Sequence, residues 1–182
     1  MMQGVNAQIV ELISEYEELI TAAERLVAQA SDASFVRPPE AHRWSPAECI
    51  AHLTITNEAY LPSIRKAVAA GQRLPKTRGK YRRDLAGFLL SRRLEPTPRS
   101  AQKTPAHSDA VHLKPRLETL AEYVRSQREL QYLAWDSAGL DLGRLDIASP
   151  FNPSVSYNLY SAYRVLGALG RRHLAQAAAA AG

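Results

Sequence analysis

The stretch Trp44-Ser45-Pro46-Ala47-Glu48-Cys49-Ile50-Ala51-His52-Leu53 constrains this chain more tightly than any other. Ser45 has the side chain of a helix N-cap, Pro46 fits the first helical position, and Glu48 completes a Ser-x-x-Glu capping box. The helix start is therefore fixed to within a residue or so. Trp44, immediately before the cap, is placed to pack back onto the first turn near Cys49. Two turns in, the helix carries His52, and the direction that imidazole faces becomes the main functional question.

Apolar spacing extends the one helix to four. Val5, Ile9, Leu12, Tyr16, Leu19, Ala23 and Leu26 alternate steps of four and three, with Glu11, Glu15, Glu18 and Glu24 off the seam. That pattern predicts a long amphipathic helix over 5–27. Ser31 to Arg43, with Pro38-Pro39, reads as a connector. The second helix runs from Pro46 to about Ala70, with Gly71 as its stop and Pro62 bending it. Ile50, Leu53, Leu61, Ile64 and Val68 form its apolar stripe. His52, Thr56, Ala59 and Ser63 form a second stripe of mostly small side chains, which suits either a cleft wall or a close helix contact.

A third helix is expected from Asp109 to Ser137, with Leu113, Leu117, Leu120, Val124 and Leu130 facing inward. Gly139 to Pro153 reads as a loop in which Asn152 and Pro153 supply a cap and first turn. The fourth helix then runs to the alanine-rich end, and Val155, Leu159, Ala162, Leu166, Leu169 and His173 share one line on it. Four long helices with one long crossover, 71–109, between the second and third predict an all-α four-helix bundle formed as a single domain over 1–182.

At 182 residues the chain can bury a real core. No apolar run approaches the roughly 20 residues of a membrane span, and the first residues lack the basic-then-apolar layout of a signal peptide. A cytoplasmic protein with no membrane partner is the expectation. The one cysteine, Cys49, excludes an internal disulfide and a CxxC zinc site. At the start of a helix Cys49 could act as a nucleophile, but it falls beside the apolar stripe and reads as a packed side chain. No nucleophile elbow or Gly-rich phosphate loop occurs.

The net charge of +5 is uneven. Ten Lys and Arg between Arg73 and Lys103 face only Asp84 and Glu95, giving that segment +8 and the rest of the chain −3. Pro75, Pro96, Pro98 and Pro105 stud the crossover, and Leu85, Phe88 and Leu89 predict a short helix inside it. A solvated loop is the simpler reading of residues 73–103. Nucleic-acid or partner binding through this basic segment is the alternative.

His173 lies one turn beyond Leu169, in the middle of an apolar stripe, so it is either a hydrogen-bonded core histidine or a ligand. With His52 on another helix of the same bundle it could build an interior metal site. Here the residues resemble a known family. Trp44 to Leu53 is similar to the start of the second helix of the DinB/YfiT-like superfamily. Arg171-Arg172-His173-Leu174-Ala175-Gln176 resembles that family's C-terminal Arg-His-x-x-Gln signature, and Ser149-Pro150-Phe151 its preceding loop.

The resemblance implies a bundle whose cleft holds a divalent metal, zinc or nickel, through three histidines: one from the second helix and two from the fourth, spaced His-x-x-x-His. It also implies thiol-dependent transferase or isomerase relatives using bacillithiol, mycothiol or glutathione, and a homodimer. His52 and His173 match two ligand positions. The third is Leu169, which cannot ligate. Three outcomes stay open: the metal is lost, it is held weakly by two histidines and water, or a substitute ligand completes the set.

Glu48 is committed to the capping box, and Gln176 suits a hydrogen bond better than a metal. His42, His107 and His112 have no fixed direction. The expected site is thus a small-molecule cleft with a reduced, two-histidine metal centre at His52 and His173, lined by Thr56, Asn57, Tyr60, Leu169 and Gln176. The alternative is an active metal-dependent thiol S-transferase or hydrolase. The sequence names neither its catalytic residues nor the thiol cofactor.

Overall fold

A computed structural model describes residues 6–41, 43–77, 79–95 and 114–181. In chain order the elements are α1 (Ala7–Gln29), α2 (Asp32–Val36), α3 (Pro46–Gly71), α4 (Leu85–Leu94), α5 (Arg116–Asp136), a 3-10 turn (Leu142–Arg144), β1 (Asp146–Ser149), β2 (Asn152–Asn158) and α6 (Leu159–Ala181). The fold is mainly helical, and α1, α3, α5 and α6 are its four long helices.

Helix α3 begins where its residues dictate. The Ser45 hydroxyl accepts the Glu48 N–H at 3.3 Å, and Glu48 Oε2 accepts the Ser45 N–H at 2.7 Å. Such a cap contributes about 1 kcal/mol. The helix continues through Pro62, which stands on its exposed side. On α1, Ile9, Leu12, Tyr16, Leu19, Ala23 and Leu26 are all buried, as their spacing predicts. The connector contains an additional short helix, α2, closed by a Ser31–Ser34 capping box.

Cross-helix bonds give the directions. Glu58 with Arg125, Arg65 with Glu129, and Gln72 with the Asp136 carbonyl show α3 and α5 running the same way. A parallel pair requires the chain to travel back a helix length between them, which accounts for the long crossover. Helix α5 runs opposite to α1: Arg116 meets Asp32 and the Val27 carbonyl, while Gln131 donates to the Ile13 carbonyl at 3.1 Å.

The inward face of α5 differs from the leucine stripe expected. Leu117 is 66% exposed, and Leu120 and Val124 are half-buried. The face turned inward is Thr119, Tyr123, Ser126, Gln127, Leu130, Gln131 and Ala134. Its amides are satisfied: Asn57 Nδ2 donates to Ser126 Oγ at 3.1 Å and Gln127 Oε1 at 2.9 Å, and Gln131 bonds across to α1. Partners on facing helices remove the cost of burying these groups. Leu113 and the expected start at Asp109 lie outside the described residues.

The fourth helix also starts later than Asn152-Pro153 suggests. Asn152, Pro153 and Val155 belong to β2, which pairs antiparallel with β1 through Ile147↔Tyr157 and Asp146↔Asn158. Both are edge strands, where a proline costs little. The working cap is Asn158, whose Oδ1 accepts the Ser161 N–H at 2.8 Å. In the crossover, α4 forms as expected, but Leu85 and Leu89 face solvent and Gly87 and Ser91 face inward. A Cβ on Gly87 would collide with Ser161, so glycine permits the close approach of α4 to α6. Asp84 fastens this contact, accepting the Gly87 N–H at 2.7 Å while its own N–H donates to Ser161 at 3.1 Å.

Candidate functional site

The capping box aims α3 so that His52 turns toward α6. There it meets His173, 121 positions further along the chain, with ring centroids 4.8 Å apart and planes at 64°. Trp44 joins them. Its indole centroid lies 4.9 Å from His52 and 5.5 Å from His173, nearly parallel to the latter at 24°. Its position before the cap predicts Trp44 against the first turn of α3; the structure also sets it against the two imidazoles. Its place next to the cap is the only sequence signal that could have pointed to it.

His173 is 3% exposed and His52 half-buried. Burial pushes the His52 imidazole below its ordinary pKa. It does the same more strongly to His173, helped by repulsion from His52 and Arg172, so that ring is lowered to about 3. Gln176 acts in the opposite direction, favouring the protonated ring. Both imidazoles are therefore neutral at neutral pH, the form in which a histidine nitrogen offers a lone pair.

Several buried polar atoms have no partner among the described residues: His173 Nδ1, Gln176 Oε1 and Thr56 Oγ1 within a turn of the two histidines, and Tyr123 OH on α5. Thr56 is one turn beyond His52. Asn57, next to it, bonds to Ser126, whose hydroxyl donates to the Tyr123 carbonyl at 2.9 Å. Thr56 and Tyr123 thus sit at one level of facing helices. An unmet buried hydroxyl or ring nitrogen costs on the order of 1–3 kcal/mol, so the interior holds more hydrogen-bonding capacity than the described residues use.

Asn57 is occupied by its bonds to α5, and Tyr60 by a short hydroxyl–hydroxyl contact with Tyr157. Leu169 is half-buried against the core. Cys49 is fully buried and its thiol is pushed up to about 12, which makes it a packed, unreactive side chain. His42, His107 and His112 lie outside the described residues. A groove of about 950 Å³ runs elsewhere, between α1 and α6, lined by Glu15, Leu19, Leu26, Arg164, Arg171 and Leu174. Glu15 closes ion pairs there with Arg164 and Arg171, and Arg171 also reaches Glu95.

Fold and site together define a helical bundle with a histidine pair inside it. The chain matches the family model of the DinB superfamily over residues 15–177, and it belongs to that superfamily. No curated protein and no solved structure matches it.

The metal that this family resemblance implies can be tested against the geometry. Two imidazoles on one cation at about 2.0–2.1 Å have centroids roughly 5 Å apart, and the observed 4.8 Å agrees. Neutral rings also suit a cation. The third position does not: Leu169 stands there, and among the described residues no group of three His, Cys, Asp or Glu is arranged to hold a metal. Two donors fit, and a closed three-histidine site does not.

Proposed function

We propose that this DinB-superfamily protein binds a small molecule at the His52–His173 pair, with a divalent cation held there weakly by two imidazoles instead of three. The observation that carries the reading is the 4.8 Å meeting of two neutral imidazoles from different helices. A cation in that position supplies positive charge that lowers the pKa of a neighbouring thiol or water. The chain's own groups do the rest. His52 and His173 donate nitrogen, Trp44 packs against both rings, and Thr56 offers a spare hydrogen bond to a bound molecule. Leu169 presents hydrocarbon where a ligand would complete the set, which separates this reading from an active thiol S-transferase or hydrolase with a full metal centre.

Metal analysis of protein purified without a histidine tag tests it. The expected result is well under one equivalent as purified, with added zinc bound weakly and lost in His52→Ala. Stoichiometric zinc, nickel or manganese, lost in His52→Ala, would replace this reading with the full metal centre. Zinc binding unaffected by either histidine would remove the site.

A second reading, nucleic-acid or partner binding through residues 73–103, is supported by Arg82, Arg92 and Arg93, which are exposed and make no ion pair among the described residues. Affinity for DNA or RNA should then fall steeply between low and physiological salt. No retention at low salt would discard it.

A further inference from the structure

His173 Nδ1 and Gln176 Oε1 are both sealed from solvent, and neither has a hydrogen-bond partner among the described residues. They stand three residues apart on α6, a spacing that places side chains on one helix face. A neutral imidazole carries a proton on one nitrogen and a lone pair on the other. With the proton on Nε2, the sealed end of the ring is an acceptor beside the amide's acceptor, and both go unmet. With the proton on Nδ1, donor and acceptor satisfy each other through a small side-chain rotation. We infer that Gln176 is a positioning residue whose Oε1 takes the Nδ1–H of His173, which fixes the ring's tautomer and leaves the lone pair on Nε2.

A further observation agrees. The sealed atom of Gln176 is the amide oxygen, the atom this arrangement needs. Fixing the tautomer matters because a ring can donate to a cation or accept from a ligand only through its bare nitrogen. The consequence for ligand binding rests on the proposed function above. The tautomer assignment itself does not.

The test is long-range proton–nitrogen correlation NMR on histidine-labelled, tag-free protein at pH 7.5, where the two neutral tautomers give different patterns. The inference expects Nδ1–H at His173, loss of that state in Gln176→Ala, and its retention in Gln176→Glu, which keeps an acceptor. Nε2–H in the unmodified protein would overturn it, without any variant having to fold. An unchanged pattern in Gln176→Ala would overturn it as well. Zinc titration separates the two claims: Gln176→Ala should weaken zinc binding by about tenfold or more. If the unmodified protein shows Nδ1–H at His173 yet binds no zinc, the tautomer assignment stands and the metal-site reading fails.

Discussion

Acid should unfold this protein earlier than its carboxylates require, and His173 is the reason. The ring is 3% exposed and its pKa is lowered to about 3, whereas in the unfolded chain it takes a proton near pH 6.5. Below that pH the unfolded state binds a proton that the folded state refuses, so stability falls as pH falls. The contribution is fully present above about pH 6.5 and is lost progressively toward pH 3. At pH 5 the deficit is about 1.5 pH units, or about 2 kcal/mol, a sizeable part of the 5–15 kcal/mol typical of a whole domain. Urea unfolding at pH 7 and pH 5 measures it. His173→Phe keeps an aromatic ring beside Trp44 and removes the titration, so its loss between the two pH values should be smaller than wild type's by about 2 kcal/mol. Equal losses within about 0.5 kcal/mol would mean that the ring charges freely, which its burial does not allow.

Three further outcomes follow from the same interior. Thr56→Val and Tyr123→Phe remove hydroxyls that have no partner among the described residues, so urea unfolding of the free protein should show no loss, or a gain of up to about 1 kcal/mol; a loss above about 1.5 kcal/mol would reveal a bond. Asn57→Ala strands Ser126 and Gln127 inside the α3–α5 contact and should cost about 1–3 kcal/mol in the same assay. Cys49, buried with its thiol at about 12, should resist a disulfide reagent at pH 8 until urea unfolds the chain; fast native labelling would contradict its packing.

Helices whose inner face is purely apolar were legible in the residues. The α1 seam and the α3 start are where Ile9 to Leu26 and the Ser45–Glu48 box put them, because burial and capping act locally. The inner face of helix α5 is more polar than the leucine spacing predicts. Gln127 and Gln131 are buried because Asn57 on α3 and Ile13 and Glu17 on α1 meet them, and hydropathy carries no information about a partner on another helix. The hairpin before α6 was hidden for a similar reason. Asn152-Pro153 carries a genuine cap signal, which the pairing of Ile147 with Tyr157 overrides.

The pairing of His52 with His173 was expected from a family resemblance together with helix wheels, and the two rings do meet. Trp44 against both of them was not legible, since a ring outside the helix has no periodicity to read. Nor was the spare hydrogen-bonding capacity at Thr56 and Tyr123, which depends on what their neighbours have already used.

The two-donor account is tested most directly by restoring the missing donor. Leu169 lies one turn before His173 and is half-buried against the core, so Leu169→His should turn its ring toward the same place. Cobalt(II) titration of tag-free protein, followed by the visible absorption of the bound ion, compares that variant with wild type. The account predicts weak binding in wild type and at least tenfold tighter binding in Leu169→His, lost again when His52→Ala is added. Equal affinity in wild type and the folded Leu169→His variant, or tight binding that survives His52→Ala, would contradict it.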